Sequence, residues 1–208
     1  MDNIKEKIII LKKLSVYMTD KKLTINNLDK ILLKEKIKFQ TFYKFYPKGI
    51  RSLCIFYFKN IDNDMIKNCK KKIRNEKSIS KRVKIFLNEK FSLLHNNEVI
   101  TTYFIDYLTI NPKLFLHLCY QFSDLIWTQL KDKSTDFNFY TKRFILSIIY
   151  KNALYYWRNN KDLSSLSNYF DKKIEMTGKL GKIKKSLTSR FENINISNIL
   201  SKFDFMYK

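Results

Sequence analysis

The sequence predicts an all-α protein, and three observations predict it. Among its 208 residues there are only 3 glycines and 2 prolines, too few for the turns of a sandwich or barrel, and no glycine-rich phosphate loop can be assembled from them. Hydrophobic residues make up 45% and aromatic residues 15% of the chain, which excludes disorder along the whole length even with 29% charged residues. Apolar residues also recur at spacings of three and four from the first residues onward.

The elements follow in order. Ile4, Ile8, Leu11, Leu14 and Met18 mark an amphipathic helix over 2–19, and Thr24 is expected to cap a second helix through Leu28, Ile31 and Leu32. Phe39, Phe42, Tyr43 and Tyr46 line a third helix that Pro47 and Gly49 stop. A long fourth helix runs from Ile50 to about Asn75 over Leu53, Phe56, Tyr57, Ile61 and Met65. Short helices followed by a long one have the proportions of a helix-turn-helix head. Its boundary is set at 1–76, because Lys70, Lys71, Lys72, Arg74, Lys77 and Lys81 resist common burial. Beyond it, helices are predicted at 79–95, 98–109, 112–131, 136–159, 163–177 and 182–206. Pro112 suits a first turn, Ser134, Thr135 and Asp136 offer an N-cap, and Gly178 a C-terminal cap. The expected division is a head (1–76), a helical bundle (77–180) and a C-terminal amphipathic helix (181–208).

Lysine and arginine total 41 against 19 acidic residues, a net charge of +22 that raises nucleic acid or an anionic membrane as a partner. The abundance of Lys, Ile, Asn, Phe and Tyr is also what an AT-rich genome imposes, so the charge fits solvated faces as well as a functional surface. Cys54, Cys69 and Cys119 are odd in number and widely spaced, which suits a reducing compartment. The longest apolar run, Phe144 to Tyr150, contains Ser147 and falls far short of a bilayer span of roughly 20 residues. Asp2 and Glu6 among the N-terminal lysines argue against a secretory leader or transit peptide, so the expectation is a complete, cytoplasmic chain.

Catalytic machinery is not legible. No Glu-x-x-His pair of a di-iron bundle occurs, and His95 and His117 have no carboxylate on the same helical face, so no metal site is expected. The third helix offers a DNA-binding reading through Lys38, Gln40, Thr41, Tyr43 and Lys44. Against it, Lys36-Ile37 stands where a helix-turn-helix usually carries a glycine, and Phe39, Phe42, Phe45 and Tyr46 read as core. Ile183, Leu187, Phe191, Ile194, Ile199, Phe203 and Met206 form an apolar stripe among Lys182, Lys184, Lys185, Arg190 and Lys202. That pattern fits a helix lying on anionic lipid or, equally, one docked on the bundle.

The strongest local signal is Asp124-Leu-Ile-Trp127 followed by Asp132-Lys-Ser-Thr-Asp-Phe-Asn-Phe-Tyr-Thr-Lys-Arg143. It reads as a loop and a helix cap, with Phe139, Ile145, Ile149 and Ala153 packing inward. Capping leaves the clustering of Trp127, Tyr140 and Arg143 unexplained. The run resembles the signature of the Coq-nine family of ubiquinone-biosynthesis proteins, which have the TetR-regulator fold. The matching positions are Trp127, Asp132, Ser134, Thr135, Asp136, Phe137, Asn138, Tyr140, Thr141, Lys142 and Arg143. Phe42 to Gly49 is similar to the end of the family's third helix, and the resemblance covers nearly all of 1–180. Departures are Phe139 for a tryptophan, Thr128 for an aromatic and Lys131 for a glycine.

The resemblance implies a non-catalytic, TetR-like homodimer without a cofactor. It would bind an isoprenoid quinone intermediate or a phospholipid and hand it to the pathway's membrane-associated di-iron hydroxylase. It implies a partner surface at Trp127, Asp132, Ser134, Thr135, Asp136, Asn138, Tyr140 and Arg143. Location would be cytoplasmic, peripheral on the anionic inner membrane of a bacterium, with no specific DNA partner. Lining for a lipid tail could come from Phe104, Tyr107, Leu108, Phe115, Leu118, Phe122, Ile148 and Tyr155, each of which reads as cavity wall or as solid core. The alternative from another class is a TetR-type ligand-responsive transcriptional regulator.

Overall fold

The structure is a computed structural model that describes residues 2–19 and 22–187. Among these residues every regular element is a helix: α1 (Asp2–Ser15), α2 (Leu28–Lys34), α3 (Phe39–Phe45), α4 (Ile50–Asn75), α5 (Ile79–His95), α6 (Glu98–Thr109), α7 (Pro112–Gln129), α8 (Asp136–Asn160) and α9 (Leu163–Leu187). The all-α class is that predicted. No helix among the described residues is long and apolar enough to cross a membrane.

Local chemistry explains several ends. Helix α1 stops at Ser15 rather than 19, and Met18 is still buried because the chain turns back, with the Tyr17 N–H bonded to the Leu14 carbonyl. Thr24 does not cap α2. Its hydroxyl accepts from the Asn27 N–H (3.3 Å) in a turn one step earlier, and Asn27 takes the N-cap position. After α2, Lys36 adopts φ 54° while the Lys36 and Ile37 N–H groups bond the Leu33 and Leu32 carbonyls, a Schellman closure. The left-handed residue that a glycine would normally supply is therefore present as a lysine. Helix α9 runs on through Gly178, where the sequence suggested a stop. Glycine weakens a helix by about 1 kcal/mol without removing a hydrogen bond, so it permits an end but does not enforce one.

Two compact units organise the chain, and each is described by itself. The first comprises residues 1–68 and 90–112. Its core includes Leu14, Leu32, Phe42, Tyr46, Leu53, Phe91 and Phe104, all fully buried. Polar ties fasten residues 90–112 to the head helices: the Tyr103 hydroxyl donates to the Leu23 carbonyl (2.6 Å), and the Tyr57 and Thr101 hydroxyls share a buried hydrogen bond. Lys90, 0% exposed, donates to Asp62 (2.7 Å) and to the Phe58 carbonyl (3.1 Å). Burial pushes the Asp62 carboxyl up even against the pull of Lys90.

The second unit comprises residues 69–89 and 113–208. Within it α8 packs on α9, and α5 is joined to α9 by Lys84–Asp171 (2.6 Å) and Asn88–Ser167 (3.3 Å). The boundary expected at 76 falls within the 69–89 segment of this unit. Cys54, Cys69 and Cys119 are buried.

Candidate functional site

The site is the turn between α7 and α8. Helix α7 buries Leu114, Phe115, Leu118, Cys119, Phe122 and Ile126 on one face and ends in a second Schellman closure. There the Lys131 N–H bonds the Thr128 carbonyl and the Asp132 N–H bonds the Trp127 carbonyl, both at 3.0 Å, with Lys131 at φ 55°. The departure from glycine at 131 thus leaves the turn geometry in place at the cost of a left-handed lysine. Thr135 takes the N-cap position of α8 in extended conformation without a side-chain cap bond.

Asp132 organises the loop. Its side chain is only 8% exposed and receives Lys142 Nζ (2.8 Å), the Ser134 hydroxyl, the Ser134 N–H (3.4 Å) and Arg143 Nη1 (3.4 Å). Burial alone would raise its carboxyl, but hydrogen bonds from Lys142 and Ser134 outweigh that and hold it below the ordinary carboxylate value. Arg143 is 4% exposed and faces two helices at once. Its Nε donates to Asp124 on α7 (2.6 Å), its Nη1 also reaches the Phe139 carbonyl (3.2 Å), and its guanidinium lies 3.4 Å from the Phe139 ring centroid. The buried Ser123 hydroxyl donates to the Arg143 carbonyl (2.7 Å), a further bond between α7 and α8.

The predicted surface residues therefore divide into two groups. Asp132, Ser134 and Arg143 turn their polar atoms into the loop and brace it. Thr135 and Asn138 are exposed, Trp127 and Tyr140 are half-buried, and Asp136 has no described side chain. Lys142 Nζ lies 5.2 Å from the Trp127 ring centroid, and the Trp127 indole N–H is buried with no hydrogen-bond partner. Beyond the loop α8 continues outward with Phe144 (46% exposed) and Ile148 (40%) one turn apart. Asp124 and Phe139, which hold Arg143, were not among the predicted site residues. Both lie inside the motif that the sequence singles out, where Asp124 opens the first run and Phe139 reads as an inward-packing residue, but the motif gives no sign that they hold Arg143.

The predicted lipid-lining residues are split between the units. Phe104, Tyr107 and Leu108 belong to the first, where Phe104 packs on Tyr57 (5.3 Å between centroids) and Tyr103 (5.2 Å). Phe115, Leu118, Phe122, Ile148 and Tyr155 belong to the second, with Phe115 edge-on to Tyr155 (5.3 Å) and Phe122 stacked on Tyr150 (4.0 Å). Ile183 and Leu187 fall on the backbone of α9 with no described side chains. Phe191, Ile194, Ile199, Phe203 and Met206 lie outside the described residues.

No group of three or more His, Cys, Asp or Glu side chains among the described residues is arranged to hold a metal ion. What the turn offers chemically is a braced platform: internal ion pairs fix its shape, a part-exposed tryptophan and tyrosine and an exposed asparagine lie at or beside it, and two exposed apolar side chains lie further along α8. No curated protein and no solved structure gives a significant match to the chain. A family model described as COQ9 matches residues 113–181, from the first turn of α7 through α8 into α9, and so contains the whole braced turn. Over that segment, about a third of the chain, the sequence is similar to the COQ9 family.

Proposed function

We propose that the chain is an accessory protein of ubiquinone biosynthesis and binds an isoprenoid lipid, either a quinone intermediate or a phospholipid. It presents that lipid to the pathway's di-iron hydroxylase at the surface of an anionic membrane, and acts as a homodimer without chemistry of its own. The observation that carries this reading is the division of labour in the 127–143 turn. Ion pairs that could have been replaced by a simple cap are used to fix a loop around Trp127, and the presented side chains are of the kinds that anchor protein interfaces. The exposed Phe144 and Ile148 extend the same helix with apolar surface that no core uses.

Native mass spectrometry of the purified full chain, followed by organic extraction, tests the reading. A dimer carrying an isoprenoid or phospholipid is the expected result. A lipid-free protein that binds one DNA fragment about a thousandfold more tightly than random sequence would replace it with the regulator, since specific affinity of that order requires base readout.

A further inference from the structure

The outward face of α1 carries an arrangement that neither the core nor the turn uses. Helix α1 buries Ile10, Leu11 and Leu14. At 3.6 residues per turn, Lys5, Ile9, Lys12 and, in the continuing turn, Val16 fall on the opposite side, with Lys13 and the exposed Glu6 at its edge. Ile9 is 54% exposed and Val16 is 70% exposed, so two β-branched aliphatic side chains stand in water at the middle of a lysine cluster. Basic surface continues onto the end of α2. Lys13 donates to the Glu35 carbonyl (3.2 Å), exposed Lys34 sits 5.5 Å from the Tyr17 ring centroid, and the Glu35 carboxylate is engaged by the Tyr17 hydroxyl (2.6 Å).

We propose that this face of α1 is a contact for an anionic lipid surface. The lysine ammonium groups would meet lipid phosphates while Ile9 and Val16 enter the boundary between headgroups and acyl chains. The composition favours lipid over nucleic acid. Nucleic-acid faces place aromatic rings for stacking and Arg, Asn or Gln for base edges and phosphates, whereas this side of α1 offers aliphatics, lysines and the exposed Glu6 at its edge, with no arginine or aromatic ring. The contact goes beyond the proposed function, from which it takes only the membrane setting. It is separate from the C-terminal stripe at 183–206 and independent of which lipid is carried.

The test uses the full chain with vesicles of phosphatidylcholine and phosphatidylglycerol, set against phosphatidylcholine alone. Lys5→Gln, Lys12→Gln and Lys13→Gln together should weaken binding to the anionic vesicles by about fivefold per lysine. Ile9→Ser with Val16→Ser, both at exposed positions, should leave circular dichroism unchanged and weaken the same binding several-fold. Because the native cysteines are all buried, Val16→Cys can be labelled selectively with an environment-sensitive fluorophore. Its emission should shift to the blue on anionic vesicles, and the same label at exposed Asn63→Cys on α4 should not shift. Wild-type binding by both sets of variants with an unshifted label would overturn the proposal and leave the lipid-presenting function standing. Loss of affinity for random duplex DNA without loss for vesicles would overturn it in favour of a nucleic-acid face. Absence of co-purified lipid would count against the proposed function alone.

Discussion

At the scale of single residues, the most informative positions are lysines where glycine would be cheaper. Lys36, Lys131 and Lys161 all have φ near 55°, and each closes the end of a helix. An L-residue in that region costs roughly 1–2 kcal/mol, part of which glycine gives back through the freedom of the unfolded chain. Lys36→Gly and Lys131→Gly should therefore each stabilise the protein by about 0.5–1 kcal/mol in denaturant unfolding, with the slope of the transition unchanged. Arg143 is the opposite case, a residue whose every interaction is used. Arg143→Ala leaves Asp132 buried with one cation fewer and should cost about 3 kcal/mol. Arg143→Lys should recover only part of that loss, because an ammonium cannot bond Asp124, Asp132 and the Phe139 carbonyl in one plane while stacking on the Phe139 ring.

At the scale of elements, the start of α9 gives a test with a pH signature. The exposed Asp162 carboxylate accepts from the Ser164 N–H (2.8 Å) and the Ser165 N–H (3.2 Å), capping the helix. Hydrogen bonds from Ser165 and then Ser164 bring its pKa to about 2, below the ordinary 3.8. A lowered folded-state value means that the cap contributes fully above 3.8 and is lost as the pH falls toward 2. Asp162→Ala should lower the melting temperature at neutral pH, Asp162→Asn much less, and the gap between wild type and Asp162→Ala should close between those two pH values. How far the elements were legible follows from the same local rules. The spans of α4, α5 and α6 agree with their predicted ranges because apolar spacing and flanking polar residues coincide there. Thr24 and Gly178 misled because a capping or stopping residue type states a preference, and the hydrogen bonds actually made decide the outcome. The brace at Arg143 was only half legible. The motif contained Asp124, Asp132, Phe139 and Arg143, but the pairing of Asp124 with Arg143 depends on how two helices face one another.

At the scale of the whole molecule, the lipid-lining set shows what a sequence leaves open. Phe104 and Phe115 are both fully buried aromatic residues on helical faces, yet they belong to different compact units, and nothing in their local spacing separates them. A net charge of +22 likewise says little until it is located. In the described residues part of it is engaged inside the protein, as with Lys90 and Arg143, and part stands outward with aliphatic neighbours, as on α1. In the proposed function the α7–α8 turn is a platform whose braces face inward and whose tryptophan meets the partner. Trp127 decides it, because its ring is half-buried and touched by Lys142. A fully buried tryptophan would cost roughly 3–5 kcal/mol on truncation, so Trp127→Ala should cost about 2 kcal/mol. At about 2–4 °C per kcal/mol in a chain of this size, the melting temperature should fall by about 4–8 °C and leave a folded protein. The most direct measurement is quinone content in a strain lacking its own copy of the gene and complemented with Trp127→Ala, read beside that melting temperature. A folded variant whose strain makes no more quinone than the uncomplemented one is the expected result; wild-type quinone content from the same folded variant would remove Trp127 from any partner surface.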